Sequence, residues 1–120
     1  MEYRLLYNAA AHFDSLERYP DGIIEAIAEP GKKGFEALCY ALALMSHQAE
    51  AARKYEGKET QEPIKEEWTL MHLRLADVVK AKTAVFQAVA KGIGEASGEI
   101  DEVLLELQKK TDTNLTKQDI

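Results

Sequence analysis

The feature of this 120-residue chain that most limits its fold is the proline-free stretch Gly34–Tyr55. Its apolar residues recur at steps of three and four and so share one side of an α-helix: Phe35, Leu38, Leu42, Met45 and Ala49. Frequent alanines add high helix propensity. The stretch therefore predicts a long helix with one side in the core. Tyr40 and Leu44 point away from that side, which favours a central helix packed on two sides over a partner surface.

Two shorter helices are predicted before this one. Asn8 is a favoured N-cap residue for a helix over Ala9–Tyr19, with Phe13 and Leu16 as its apolar contacts. Pro20-Asp21-Gly22 predicts a turn, after which Asp21 caps a short helix that ends at Glu29. The apolar stripe of this second helix is Ile23, Ile24, Ile27 and Ala28.

The segments after the long helix are less regular. The polar run Gly57–Pro63 predicts a loop within one domain, and Ile64–Leu75 predicts a short helix with a break near Leu75-Ala76, although alternation there also fits a strand. Asp77 is then expected to cap a helix over Val78–Lys91 that Gly92-Ile93-Gly94 closes. The stripe of this helix is Val78, Val85 and Val89, with Val79 and Phe86 beside them. Lys82 falls inside the stripe, where it extends past the apolar edge or meets an acid on a partner.

A last helix is predicted over Gly98–Lys110, with an apolar stripe on an acidic background: Ile100, Val103, Leu104 and Leu107. Residues 111–120 show no periodicity and predict a mobile tail. The expected fold is therefore all-α, a compact bundle of about five helices in a single domain over residues 1–110. Alternation of Tyr3, Leu5 and Tyr7 leaves a short N-terminal strand open.

Charge and composition exclude several classes of protein. The net charge is −6 and each basic pair is flanked by acids, which argues against nucleic acid as the main partner. No apolar run approaches the roughly 20 residues that span a bilayer, and the N-terminus lacks the pattern of a secretory signal. The expected location is therefore the cytoplasm. Cys39, the single cysteine, is expected to be a small buried residue.

Residue patterns that carry catalysis are weak in this chain. His47 and Glu50 lie one helical turn apart, a spacing compatible with metal binding, but no second such pair accompanies them. The glycine-rich stretch 92–98 misses the dinucleotide-binding spacing and follows no strand. No serine lies in a nucleophile motif. We therefore expect no catalytic, cofactor-binding or metal-binding residues and a protein that is not an enzyme.

The informative feature that remains is the amphipathic character of the helices. Helix-in-groove recognition uses the same i, i+3, i+4, i+7 spacing as a core-facing helix, so an apolar stripe serves either role. Large apolar residues stand out in the irregular segment after the loop and in the last predicted helix. The residues predicted to contact a partner are Trp68, Met71, Val103, Leu104 and Leu107.

The order of segments resembles the tail assembly chaperones of bacteriophages and prophages from Gram-positive hosts. The resemblance covers about residues 2–110 and is carried by the opening Glu2–Asn8, the acidic turn Leu16–Gly22, the central Phe35–Leu42, the late Ala84–Gly92 and the closing Asp101–Lys110. It rests on patterns rather than on an invariant motif, and Glu62–Leu75 adds nothing to it.

The resemblance implies a protein that binds the helical tape-measure protein, keeps it soluble in the bacterial host cytoplasm during tail assembly and is absent from the mature virion. A tape-measure chain exposes long apolar stripes, and a small acidic helical protein would cover them. The alternative is a small helical protein-interaction or regulatory module with an unknown partner. Homo-oligomerisation also remains open, and neither a nucleic acid nor a membrane is expected as partner.

Overall fold

The longest helix forms the centre of the fold, and the other helices pack around it. The computed structural model describes residues 3–94, which contain α1 (Ala9–Arg18), α2 (Ile23–Ala28), α3 (Lys32–Tyr55), α4 (Glu66–His72) and α5 (Leu75–Ile93). Helices α1, α2, α4 and α5 all contact α3. One cluster of buried apolar side chains joins the N-terminal segment to α1, α2, α3 and α5. The all-α prediction is confirmed.

The N-terminal segment before α1 has no regular secondary structure and does not form the strand that alternation left open. The backbone N–H of Leu6 donates to the carbonyl oxygen of Met45 on α3, at 3.1 Å, so the segment lies against a helix and no strand occurs within residues 3–94. Tyr7 is buried, whereas Tyr3 and Leu5 pack at the edge of the core. Alternation here reflects the packing of Tyr3, Leu5 and Tyr7 on the core cluster and not the pairing of a strand.

Helix α1 begins as predicted but buries different residues. The Asn8 side chain accepts a hydrogen bond from the Ala11 backbone N–H at 2.9 Å, which confirms the predicted N-cap. Phe13 was expected to contact the core, and that prediction is wrong, because its side chain is 65% exposed. Small residues, Ala11 and Ser15, face α3 instead, since they allow the two helices to approach closely.

Helix α2 has the predicted stripe and a different start. Ile23, Ile24 and Ile27 are buried. The N-cap position belongs to Gly22, whose φ of +103° favours glycine; because glycine has no side chain, no side-chain cap hydrogen bond forms at this helix start. The prediction that Asp21 caps this helix is therefore wrong.

Helix α3 starts two residues before the predicted Gly34, at Lys32, and ends at the predicted Tyr55. Most of its predicted stripe is buried, namely Leu38, Leu42, Met45 and Ala49, and Phe35 is half-buried. On its other side Tyr40 and Leu44 pack against the core cluster. The interpretation as a central helix packed on two sides is confirmed, and Cys39 is buried as expected.

The boundary between α4 and α5 differs from the prediction. The break lies at Leu73 and Arg74 rather than near Leu75-Ala76. Asp77 is not the N-cap residue, because α5 begins two residues before it; its Oδ2 accepts a hydrogen bond from the Arg74 backbone N–H instead. Helix α5 also continues through Gly92, which was expected to close it, and ends at Ile93.

Two side chains of α3 fix the loop between α3 and α4. Ser46 Oγ accepts from the Ile64 backbone N–H at 2.8 Å, and Glu50 Oε1 accepts from the Gln61 backbone N–H at 2.7 Å. Glu50 is buried, and its Oε2 lies 3.2 Å from Nε of Arg4 in the N-terminal segment. The loop is thus tied to α3 and, through Glu50, to the N-terminal segment. The predicted helix over Gly98–Lys110 and the predicted mobile tail over 111–120 lie outside the described residues.

Candidate protein-binding surface

Large apolar side chains remain exposed on the two last described helices. Leu75 is 90% exposed, Met71 80% and Val79 70%, and three further residues of α4 and α5 also reach solvent: Trp68, Leu70 and Ile93. Single exposed apolar residues are common on soluble proteins, whereas a contiguous group of them indicates an interaction site. The arrangement of these residues on each helix therefore decides what they can do.

Four apolar side chains form a strip along α5. At about 100° per residue, Leu75, Val79, Phe86 and Ile93 fall within about 40° of one another around the helix axis. Phe86 is half-buried and the other three are exposed. We call these four residues the α5 strip. It extends for about 27 Å, the rise of 18 residues of α-helix, and so has the length of an ordinary helix–helix contact.

The strip lies at the edge of the core: Phe86 packs against the core cluster, whereas Leu75, Val79 and Ile93 are exposed. The side of α5 that packs on the core carries Ala81, Val85 and Val89, all buried, and Ala90 near the end of the helix is buried as well. Val79 was predicted to lie beside the buried valines of this helix. Its side chain instead points to solvent and is 70% exposed. The apolar side of α5 is wider than the area that packs on α3. Part of the apolar surface of α5 is therefore not covered by another helix within residues 3–94.

Lys82 lies in the middle of the strip. Its position around the helix axis falls between those of Val89 and Leu75, and its side chain is half-exposed. None of the ion pairs formed within residues 3–94 includes it. Its ammonium group is therefore available to an acidic group brought by a partner.

The other predicted contact residues of this region, Trp68 and Met71, lie on α4. The Trp68 ring stacks on His72, with ring centroids 4.8 Å apart and planes inclined by 16°. Trp68 and His72 also line a cleft of about 300 Å³ with Asp77 and Lys80 of α5.

This cleft and the α5 strip are separate features. Asp77 and Lys80 lie 100° or more around α5 from the nearer of Leu75 and Val79, by the helix geometry of about 100° per residue. Trp68 therefore does not join the strip. Both Trp68 and Met71 are exposed, and their contact with a partner stays a prediction.

Three of the predicted contact residues, Val103, Leu104 and Leu107, lie outside the described residues. The residues of the α5 strip were not among the predicted contacts, because Val79 and Phe86 were assigned to the border of the core and Leu75 to a helix break. The predicted helix covered only Val78–Lys91 and so left out Leu75 and Ile93. A helical projection over Leu75–Ile93 would have shown that these two residues share one side with Val79 and Phe86.

An ion pair between Arg18 and Glu66 connects α1 to α4. Both terminal nitrogens of Arg18 donate to the Glu66 carboxylate, at 2.9 and 2.8 Å, which joins α1 to α4. The Arg18 guanidinium also lies over the Tyr40 ring, 4.5 Å from its centroid. The hydrogen bond to Glu66 raises the pKa of Arg18 further above its ordinary value. Helix α4, which carries Trp68 and Met71, is thereby held in position.

The side chains that could have supported metal binding are arranged otherwise. His47 is exposed, while Glu50 one turn later is buried against Arg4 and the loop backbone. Residues 3–94 contain no group of three or more histidine, cysteine, aspartate or glutamate side chains placed to hold a metal ion. Burial raises the pKa of the Cys39 thiol, which opposes formation of the reactive thiolate.

Comparison with protein-family models, with curated proteins and with solved structures gave no match. Among the described helices, none combines the length and the apolar content needed to cross a bilayer. The α5 strip and the exposed side chains of α4 are therefore the features on which a functional argument for residues 3–94 depends.

Proposed function

We propose that this protein is a phage tail assembly chaperone that binds the tape-measure protein and keeps it soluble while the tail is built. The observation that carries the proposal is the α5 strip, in which the exposed Leu75, Val79 and Ile93 and the half-buried Phe86 share one side of a long helix. The sequence resemblance supplies the identity of the partner. In this proposal the protein acts in the cytoplasm of the bacterial host and is absent from the mature virion.

The strip has the geometry that recognition of a helix requires. Residues at helical spacing along one exposed helix form a ridge beside which a second amphipathic helix packs. Fully burying a leucine, valine or isoleucine side chain contributes about 1.5–3 kcal/mol before the losses of association are subtracted. Three exposed side chains of this kind support reversible binding, which suits a chaperone that must release its client.

A second candidate function uses the same surface. A small helical protein-interaction or regulatory module with another partner would also present an exposed apolar row. The two candidates differ in the partner and not in the surface. Co-purification with a tape-measure fragment favours the first, and a gene located in a metabolic operon instead of beside tail-tube and tape-measure genes would argue for the second.

The experiment is co-expression with the tape-measure protein encoded by the same genome. We expect the wild-type protein to keep tape-measure fragments in the soluble fraction and to co-purify with them. The double variant Leu75→Ser/Val79→Ser should lose at least most of this capture while its circular dichroism stays unchanged, because both side chains are exposed.

The matched control is Thr83→Ala on the same helix. Thr83 is exposed and lies outside the strip, so its replacement should leave capture unchanged. Leu104→Ser tests the predicted contact in the last segment by the same assay. Full capture by the Leu75→Ser/Val79→Ser variant would contradict the assignment of the strip, and failure of the wild-type protein to bind any tape-measure fragment would contradict the proposed function.

A further inference from the structure

Lys82 determines the chemistry of whatever covers the α5 strip. A helix packed along the strip from Leu75 to Ile93 crosses Lys82, which lies between Val79 and Phe86 in the same row. The crossing would remove water from an ammonium group that has no ion-pair partner within residues 3–94. A desolvated charge without a partner is strongly unfavourable.

We propose that the partner helix carries a carboxylate within its own apolar stripe, placed to pair with Lys82. This inference rests on the proposed function, since it concerns the occupant of the same strip. The partner is thus an amphipathic helix with an aspartate or glutamate at one position of an otherwise apolar face. The pair selects the register of the bound helix, because any shift by a turn leaves both charges unpaired.

The charges around the strip agree with this assignment. Helix α5 carries three lysines, Lys80, Lys82 and Lys91, and a single acid, Asp77, whose carboxylate pairs with Arg74. An exposed acid, Glu67, lies on α4, one turn before Met71. Along α5 an incoming carboxylate therefore meets cations and no unpaired acid, whereas an incoming lysine would meet like charge.

The test uses the full chain and synthetic amphipathic peptides of about 18 residues, the number that matches the length of the strip. Each peptide carries glutamate at one stripe position, and its twin carries glutamine there. Binding is measured by fluorescence polarisation of labelled peptide. One glutamate peptide should bind at least about tenfold more tightly than its twin, as expected for a close charge pair at an interface.

The lysine is tested by a double-mutant cycle with a matched control. In Lys82→Met the preference for glutamate should disappear, because the methionine side chain keeps the apolar contact and removes the charge. In Lys80→Met, which removes a lysine of the same helix outside the strip, the preference should persist. Equal binding of every glutamate and glutamine pair by the wild-type protein would overturn this inference and leave the proposed function standing.

Occupancy of the strip is read independently from a Val79→Cys variant. Its thiol should react readily with an alkylating reagent in the free protein and be protected by the bound glutamate peptide, while Cys39 stays buried. Protection without peptide would mean that another segment of the chain or a second copy already covers the strip, which overturns the inference. Binding of no peptide at all, with the thiol reactive throughout, would contradict the proposed function itself.

Discussion

Substitution of Gly92 by alanine tests the packing of the N-terminal segment on α5. A Cβ atom at this position would overlap the Tyr7 carbonyl oxygen and lie 3.1 Å from the Tyr7 Cβ. The obstacle is backbone, so it cannot be removed by turning a side chain. Tyr7 is 7% exposed and belongs to the core cluster, which means that relief of the overlap must shift a packed segment.

Two opposing contributions determine the size of the effect. Replacing glycine by alanine inside a helix stabilises it by about 1 kcal/mol. Overpacking a close contact usually costs about 1–3 kcal/mol, and the overlap with backbone places this site at the upper end. We expect the free energy of unfolding to fall by about 2 kcal/mol, which for a chain of this size corresponds to a Tm lower by roughly 6–12 °C.

The assay is urea denaturation followed by circular dichroism, with Trp68 fluorescence as a second probe. Thr83→Ala is the control, because Thr83 is exposed on the same helix and a gain in helix propensity is offset only by loss of the exposed hydrogen bond that its hydroxyl donates to the Val79 carbonyl oxygen. If Gly92→Ala stabilises the protein by about as much as the propensity scale predicts, the close approach of Tyr7 to α5 is refuted.

Substitutions at three further sites test separate interactions. Asn8→Ala should lower the free energy of unfolding by about 1 kcal/mol through loss of the cap of α1, whereas Asn8→Asp should retain most of it, both measured by urea denaturation. Glu50→Ala should lower the free energy of unfolding by about 2–3 kcal/mol, because it leaves the Gln61 N–H without its acceptor and Arg4 without its counter-ion. A smaller loss of stability in Glu50→Gln would identify the hydrogen bond as the larger contribution. Unchanged stability in both variants would contradict this account. The raised pKa of the Cys39 thiol contributes stability that is fully present below the ordinary value of 9.0 and is lost as pH rises through the folded-state pKa. Between pH 7 and about pH 11 the wild type should lose more stability than Cys39→Ala, because the raised pKa values of Tyr3, Tyr7 and Tyr40, each caused mainly by burial, destabilise both proteins at high pH. Parallel pH profiles would contradict the contribution of Cys39.

The helices that the sequence predicted well are those whose boundaries depend on local chemistry. Asn8 caps α1 because its short side chain reaches the free backbone N–H groups of the first turn, and this needs no tertiary contact. The core stripe of α3 was equally readable, because a long helix with neighbours on two sides repeats its pattern over many turns. The start of α5 was missed although its capping is local, because Asp77 acts at the third helical position, where it accepts from the Arg74 backbone N–H, rather than as the N-cap residue.

The candidate surface was harder to predict for a related reason. An apolar side chain at helical spacing fits a core position and an exposed one equally well, so Phe13 and Val79 were assigned to core sides that the structure leaves in solvent. Which side of a helix is covered depends on the number and direction of its neighbours. That information is long-range, and periodicity within one helix does not contain it.

The two hydrogen bonds that α3 side chains make to the loop before α4 have a practical consequence for protein engineering. Ser46 and Glu50 are four residues apart and accept hydrogen bonds from the backbone N–H groups of residues 64 and 61. The distance between those two N–H groups is therefore matched to about one turn of α3. Extra residues inserted between positions 61 and 64 would break at least one of these hydrogen bonds and displace α4. Positions 57–60 are all exposed, and a short epitope or a protease recognition sequence inserted there would leave both hydrogen bonds in place.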